Sequence, residues 1–372
     1  MRVLRIDDKS PYRRLIGVGG IGSGIFFKLE GDKTLGRNES RLGRLLDVRD
    51  YCKLHIVIHY VAKFLGADPS GSPFHVLPVG RIGNDPVGRQ LIKEMSDVGI
   101  DTRFVAPTNE MPTLFSVCFQ YPDGSGGNIT SCNSAAAALI DSDMDKISES
   151  MNSESARTIA LCLPEVSLQA RRRLLEIATR SGAFRAASFV LAEIEDAKHA
   201  GMFELLDLVS LNEEEAGELV GCAFAEDAPE PFLAACQRHL RNSWPELQMV
   251  VSAGANGAYG ITRDAWFHAP AVGVEVLSTA GAGDSLLGGV LAGLAAGIPF
   301  LPEIPVPERT LSSALHLGVW LASYKCLSPH TIHPAASMEE LLQFSASRGW
   351  SFSVQIRQLL TSGFSGTETV YS

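Results

Sequence analysis

Paired cysteines are missing from this 372-residue sequence, whose seven cysteines are scattered without a CxxC pair. The odd number and the lack of pairing are typical of a reduced, intracellular chain and not of a disulfide scaffold. Positive charge is also scarce: 32 lysines and arginines stand against 42 aspartates and glutamates, for a formal net charge of −10. A general binder of nucleic acid or of anionic membranes would need a basic face, whereas a phosphate-bearing small ligand needs only a local patch.

Long uninterrupted apolar runs are absent too. The first residues, MRVLRIDDKSPYRR, alternate charged and apolar side chains and lack the apolar core of a signal peptide. The most hydrophobic stretch, 286–302, is rich in glycine, contains prolines near its end and is short for a membrane span. We therefore interpret it as a buried helix, and we expect a cytoplasmic protein with no membrane or nucleic-acid partner.

What the chain does have is a regular alternation of apolar strands and amphipathic helices, clearest in its second half. TIALCLP predicts a strand, SLQARRRLLEIATRSG a helix and FRAASFVLA a further strand. Such alternation predicts a mostly parallel sheet with helices on both faces. The glycine turns of such a sheet gather at the carboxyl ends of the strands, where ligands bind. The length allows one large α/β domain with an insertion or two modest domains.

Two regions, roughly 22–50 and 110–130, break this alternation and predict a small β-flap. The first contains the charged, glycine-punctuated segment KLEGDKTLGRNESRLGRLLDVRDY, and the second reads as a hairpin with its tip at residues 122–127. The polar tail, residues 364–372, is expected to fray.

The most informative stretch is STAGAGDSLLGGVLAGLAAG, residues 278–297, in which the lone carboxylate of Asp284 follows a glycine turn. Gly281 and Gly283 allow a turn whose amides point outward, and the N-terminal dipole of the following helix adds to an anion hole for a phosphate. A carboxylate beside such a hole would repel bound phosphate, but it is suited to take a proton from a hydroxyl that attacks phosphorus. On these grounds alone, Asp284 is equally consistent with a simple helix cap.

This stretch resembles the second signature of the ribokinase-like (PfkB) carbohydrate kinases, DTxGAGD followed by a small-residue helix. Three more segments resemble family motifs, in the family's order: VGRIGNDPVGRQLIKEMSDVGID, VSLNEEEAGELVG and VVSAGANGAYG. Four ordered motifs are far more specific than one glycine pattern. The resemblance implies a single three-layer ribokinase-like α/β domain over residues 1–372, in which the flap is a lid. It also implies ATP-dependent transfer of the γ-phosphoryl group to an alcohol of a sugar-like or nucleoside-like molecule.

The resemblance implies roles for individual residues. Asp284 would be the general base, and Gly281, Ala282 and Gly283 would form the anion hole. Residues on the nucleotide side would be Ser252, Gly254, Gly257, Asn212 and Glu215, the last two holding Mg²⁺ through water. Each assignment has a structural alternative: NEEE is an ordinary helix start, and the glycines at 254 and 257 suit a hairpin turn.

The sequence departs from the family at two places. Ser278 stands where the family usually has the aspartate that helps to hold a monovalent cation, which argues against activation by potassium. The usual acceptor-binding aspartate is missing at Ser23 and Gly24, and DYCKLHIVIHYVAKFLGA lacks the family's GGxxxN. Ser23, Gly24 and Asp85 are the remaining candidates for the acceptor side, and the acceptor itself stays open, because losing hydroxyl-binding groups changes the substrate.

Three alternatives to the kinase interpretation, or to parts of it, stay open, and the resemblance also allows a homodimer. A catalytically idle protein could use the same pocket to sense a nucleotide or metabolite. The GxGxxG at Gly17, Gly19 and Gly22 is a weak sign of a dinucleotide fold. His55 and His59, four residues apart, could clasp a metal, although their pattern favours a solvated helix face. A homodimer through the flap is common in the family.

Overall fold

The computed structural model describes residues 2–122, 126–153, 157–303, 305–307 and 309–361. The strands among these residues are, in chain order, β1 (Arg14–Val18), β2 (Gly22–Leu29), β3 (Gly43–Tyr51), β4 (His75–Gly83), β5 (Val105–Thr108), β6 (Leu114–Gln120), β7 (Gly126–Thr130), β8 (Thr158–Cys162), β9 (Phe184–Ser188), β10 (Leu208–Asn212), β11 (Gln248–Ser252), β12 (Ala258–Ile261), β13 (Trp266–Ala269), β14 (Thr310–Leu311) and β15 (Ser351–Phe352). The α-helices are α1 (Lys53–Leu65), α2 (Pro86–Asp97), α3 (Asp141–Ser153), α4 (Leu168–Ser181), α5 (Ile194–His199), α6 (Glu213–Val220), α7 (Glu230–Ser243), α8 (Ala282–Ala295), α9 (Ala314–Lys325), α10 (Met338–Ser347) and α11 (Val354–Gln358).

The central sheet has nine strands in the order β13-β12-β11-β10-β9-β8-β1-β4-β5. All neighbouring pairs from β11 to β5 are parallel, and only the β11–β12 and β12–β13 pairs are antiparallel. Strands β1 and β8 are buried along their whole length, which is typical of parallel strands covered on both faces. The predicted mostly parallel sheet is confirmed.

Two hydrophobic cores lie on opposite faces of this sheet, because successive strand side chains point to opposite sides. Leu15 of β1 joins the core formed with α1, α8 and α9. Its neighbour Ile16 joins the core formed with α4, α6 and α7. The result is the three-layer arrangement that the sequence predicts.

Strand β1 leads through its glycine turn into a second strand, β2, and not into a helix. A dinucleotide-binding turn needs a helix N-terminus there to receive the pyrophosphate, so the dinucleotide alternative is wrong.

The topological switch point of the central sheet lies between β1 and its neighbour β8. From β1 the chain continues to β4 and β5 on one side, and from β8 it continues to β9, β10 and β11 on the other side. Ligands of open α/β sheets bind at the carboxyl ends of the strands at such a point.

A second sheet of four strands, in the order β3-β2-β6-β7, is built from the two regions predicted to form the flap. The predicted hairpin is β6 paired antiparallel with β7, and the charged segment predicted as loop or flap contains β3. Residues 123–125 at the hairpin tip and the tail 364–372 lie outside the described residues. That the four-stranded sheet acts as a lid stays a prediction.

Helix α8 is the buried helix that the small-residue stretch predicts, and α9 is its main helical neighbour. Gly289 makes this approach possible, because a Cβ added there would lie 2.7 Å from Gly318 Cα of α9. Within the described part of the chain, no helix combines the length and apolar character that a membrane crossing requires.

We expect Gly289→Val to lower the stability of the protein, because the added side chain must push α8 away from α9. Overpacking of this kind costs about 1–3 kcal/mol or more. Thermal unfolding followed by circular dichroism measures the effect. The matched control is Gly283→Ala on the same helix, where an added Cβ meets no atom within 4 Å. An equal loss of stability in both variants would contradict the packing argument.

Candidate active site

The glycine turn before α8 has a left-handed backbone conformation. Gly281 is the residue preceding the helix and has a φ of 80°, in the left-handed region that favours glycine. A Cβ there would lie 2.6 Å from the Thr331 carbonyl oxygen, so the position is also closed to larger residues. Asp284 lies in the first turn of the helix with 12% of its side chain exposed. The carboxylate thus stands beside the N-terminus of α8, as the sequence predicts.

The amides of this turn divide into two groups. Ala282 N donates to the Thr279 carbonyl at 3.0 Å, and Ser285 N donates to the Gly281 carbonyl at 2.9 Å. Within the described chain, no protein acceptor lies against the amides of Gly283 and Asp284. Of the three residues predicted to line the hole, Ala282 therefore shapes the turn through its own bond. The amides available to an anion are those of Gly283 and Asp284.

Two cavities meet at this turn, and Thr279 lines both. One, of 280 Å³, contains Asp284. The other, of 570 Å³, contains Gly283. It also contains four of the residues predicted to bind the nucleotide: Asn212, Ser252, Gly254 and Gly257. A phosphate bound by the amides of Gly283 and Asp284, called the open amides below, would thus lie between a larger cavity and a smaller one.

Asn212 and Glu215 form a reciprocal cap at the start of α6. Asn212 Oδ1 accepts from Glu215 N, and Glu215 Oε2 accepts from Asn212 N, each at 2.8 Å. The helix-start interpretation is therefore correct, and it leaves the second carboxylate oxygen of Glu215 for another partner. Burial raises the pKa of Glu215, an effect that the charge of Lys53 opposes.

Magnesium suits this donor set. No group of three or more His, Cys, Asp or Glu side chains among the described residues is placed to hold a metal ion. Mg²⁺ typically binds through one or two carboxylates, retained waters and substrate phosphates, so an all-protein cage is not needed. The remaining oxygen of Glu215 fits the water-mediated role that the sequence predicts.

Lys53 is a functional candidate that the sequence did not reveal. Its Nζ lies 3.6 Å from Asp284 Oδ1, and the charge of Asp284 raises the lysine pKa. Lys53 is the first residue of α1, where the helix dipole disfavours a cation. That unfavourable placement is the one local signal that could have drawn attention to it, since the contact joins residues far apart in the chain.

Glu165 is a second candidate that the sequence missed. It follows β8 at the switch point and has a φ of 74°, which a non-glycine residue rarely adopts. Its Oε2 accepts from the backbone amide of Lys53 at 3.3 Å, and it lines the smaller cavity with Asp284. Burial raises the pKa of Glu165 to about 7, with Lys53 opposing and Asp284 adding to the rise. Near neutral pH this carboxyl can donate or accept a hydrogen bond.

Asp50 supplies a carboxylate at the place where the sequence lacks one. It lies on β3 opposite Gly24 of β2, and a Cβ added to Gly24 would overlap Asp50 Oδ2. The same oxygen accepts from Ser116 Oγ at 2.8 Å and from Cys118 Sγ at 3.3 Å. The side chain is 6% exposed, burial raises its pKa, and it lines the smaller cavity. Strand β3 thus places the Asp50 carboxylate next to Gly24 of β2.

The three acceptor candidates from the sequence do not line this cavity in the described structure. Ser23 Oγ donates to the Asp50 carbonyl at 3.1 Å, and Gly24 leaves room for the Asp50 side chain. Asp85 caps α2, because its oxygens accept from Gly88 N and Thr113 N, each at 2.8 Å. Ser23 and Asp85 therefore make hydrogen bonds within the fold itself, and their place on the acceptor side stays a prediction.

The interpretation of His55 and His59 as a solvated helix face is wrong. His55 is 1% exposed and His59 is half-buried, and burial lowers the pKa of both, that of His55 to about 3. Their rings lie 6.1 Å apart, and His55 packs on Tyr51 at 4.5 Å between ring centroids. The amphipathic pattern of α1 predicts an exposed polar face, but buried residues lie on both faces of this helix.

The sequence model of the pfkB family carbohydrate kinases matches residues 62–338, and the chain belongs to this family. An uncharacterized sugar kinase of Escherichia coli K12 is 38% identical over 118 residues, which cover 31% of this chain and 34% of that protein. The chain therefore matches only about a third of the length of this relative.

Two further comparisons extend the similarity. A ribokinase of Dictyostelium discoideum is 23% identical over 220 residues, covering 56% of this chain and 68% of that protein. The crystal structure of a ribokinase from Cryptococcus neoformans, in complex with ADP, superposes with a TM-score of 0.71. At 18% identity it covers 89% of this chain and 99% of its own, and it confirms the predicted fold.

Proposed function

We propose that this protein transfers the γ-phosphoryl group of ATP to a hydroxyl of an uncharged, sugar-like molecule. The observation that carries the proposal is the position of Asp284, beside two open helix amides and between two cavities. The larger cavity would take the nucleotide and the smaller one the acceptor. The attacking hydroxyl and the transferring phosphoryl group would then meet at the carboxylate.

The nucleotide side is supported by its lining and by a neighbour. Ser252, Gly254 and Gly257, at the turn between β11 and β12, line the 570 Å³ cavity. The structurally similar Cryptococcus ribokinase was solved with ADP. Asn212 and Glu215 would hold Mg²⁺ through water, and the ion would offset the charge of the phosphates.

On the acceptor side, Asp284 would remove the proton from the attacking hydroxyl, while the amides of Gly283 and Asp284 stabilise the phosphoryl oxygens. Lys53, 3.6 Å from Asp284, offsets part of the negative charge that gathers there. Since its own pKa is raised by Asp284, the lysine remains a cation throughout the neutral range. It would also hold the carboxylate in place until the acceptor arrives.

The charges around the smaller cavity point to a neutral acceptor. Asp50, Glu165 and Asp284 all line it, and Lys53, already close to Asp284, is the one cation among the described lining residues. A phosphate or carboxylate group on the acceptor would meet repulsion from these side chains. Carboxylates are, in contrast, strong acceptors for sugar hydroxyls. The volume of 280 Å³ accommodates a single sugar ring.

A paired substrate screen tests this function. Purified protein with Mg·ATP is offered neutral sugars and nucleosides, each beside its phosphate or its sugar acid, and product is detected by ADP release and mass spectrometry. We expect phosphorylation of neutral sugars and at least about 100-fold lower kcat/KM for the charged partner of each pair. Preferential use of a charged acceptor would overturn the assignment of the acceptor class. No product from any acceptor, together with tight nucleotide binding, would favour the sensor alternative.

A further inference from the structure

Lys325 is a fully buried lysine directly behind the phosphate-binding turn. It is the last residue of α9, its side chain is 0% exposed, and its Nζ donates to the Ser278 carbonyl at 3.0 Å. Ser278 begins the segment that passes through Gly281 into α8. Burying an ammonium costs several kcal/mol unless its charge is compensated, so a lysine placed here calls for an explanation.

Burial and two nearby carboxylates act on this group in opposite directions. Burial lowers the pKa of Lys325 to about 8, and the negative charges of Asp284 and Asp50 oppose that effect. The C-terminal end of α9 also favours a cation. Two carboxylates of the smaller cavity thus oppose the loss of the lysine's charge.

Position 278 does not neutralise the lysine. The Ser278 side chain is a hydroxyl, and its Oγ accepts from Ala280 N at 3.2 Å within the same turn. The ammonium thus binds the turn through a backbone carbonyl, and its positive charge remains available to the neighbourhood. One contact joins the end of α9 to the start of the turn that opens α8.

We propose that Lys325 is a positioning residue, whose ammonium binds the Ser278 carbonyl, fixes the turn at residues 278–281 and places a positive charge behind the anion-binding amides. The inference rests on the proposed kinase function for its effect on rate, but its effect on nucleotide phosphate binding stands separately. It implies that the protein works equally well in sodium, potassium or tetramethylammonium salts. It also implies that removing the ammonium leaves a cavity into which a small cation fits.

The test compares Lys325→Ala with the wild type in those salts and in ammonium chloride. We expect kcat to fall about 10- to 100-fold and the Kd for Mg·ATP to rise about tenfold. Ammonium or potassium should restore both severalfold, whereas tetramethylammonium, being too large, should not. Lys325→Met, which fills the space without a charge, should show the same losses and no rescue by any salt.

Lys63→Ala is the matched control, because Lys63 Nζ also donates to a backbone carbonyl, that of Pro334 at 3.3 Å. It should keep wild-type rate and affinity and show no response to cations. Wild-type behaviour of Lys325→Ala would overturn the proposal. The proposal would also be overturned if kcat and the affinity for Mg·ATP fell together with the melting temperature and no cation restored them. If the wild type transfers no phosphate, the kinase proposal fails, while the affinity for Mg·ATP and its rescue by small cations still decide the role of Lys325.

Discussion

Asp284→Asn is expected to lower kcat by about 10²- to 10⁴-fold, the range for removing a positioned general base. Asparagine keeps the size of the side chain and its place in the first turn of α8, but it cannot take the proton of the acceptor hydroxyl. The open amides of Gly283 and Asp284 belong to the backbone, so phosphate binding should persist. Steady-state kinetics with a neutral sugar acceptor, and calorimetry with Mg·ATP, measure the two effects separately.

The control for this variant is Asp97→Asn, which removes an exposed carboxylate paired with Lys93 on α2, far along the chain from the turn. It should change kcat by less than about twofold, since exposed pairs contribute little. An unchanged kcat in Asp284→Asn would contradict the general-base role. A large rise in the Kd for Mg·ATP would instead assign Asp284 to nucleotide binding.

Asp50→Asn is expected to lower kcat/KM for the acceptor by about 10²- to 10⁴-fold. Each hydrogen bond to a charged group contributes about 1.5–3 kcal/mol, and the carboxylate would accept two hydroxyls of a sugar. The asparagine also brings donors to a place where Ser116 and Cys118 already donate. The Kd for Mg·ATP should stay unchanged, because Asp50 lines only the smaller cavity among those described here.

Asp47→Asn provides the control on the same strand, because Asp47 is exposed and does not line the smaller cavity. It should retain the wild-type kcat/KM. Ser23→Ala distinguishes the sequence-based candidate from the structural one. If the loss appears in Ser23→Ala and not in Asp50→Asn, the acceptor side has been assigned to the wrong strand.

The predictable parts of this protein are those encoded by local patterns. The alternation of strands and helices predicts the parallel sheet, because burial on both faces and helical periodicity leave their mark in each segment. The turn before α8 is likewise local: Gly281, Gly283 and Asp284 are almost consecutive, and only glycine adopts the φ of 80° without strain. Four ordered motifs were enough to indicate the family, which the match over residues 62–338 confirms.

The surroundings of Asp284 were not predictable, because they are assembled from residues that no local pattern relates. Lys53, Glu165 and Asp284 meet although more than one hundred residues separate each from the next along the chain. Asp50 reaches the site through the pairing of β2 with β3, and a register shift within that pair decides which residue lies opposite Gly24. The family pattern places a carboxylate at position 23 or 24, whereas strand pairing brings one from β3.

The amino-acid sequence was sufficient for the layered α/β fold, the glycine turn before α8 and the family, because each is encoded in neighbouring residues whose φ angles, periodicity and order are local properties. Only the tertiary structure decided which charges surround Asp284. Burial and distance set the electrostatic field at Asp284, through Lys53 at 3.6 Å, through Glu165 with its raised pKa and through the buried Lys325. Charges act through space and not along the chain, so their combined effect exists only once the sheet, α1, α8 and α9 have packed together.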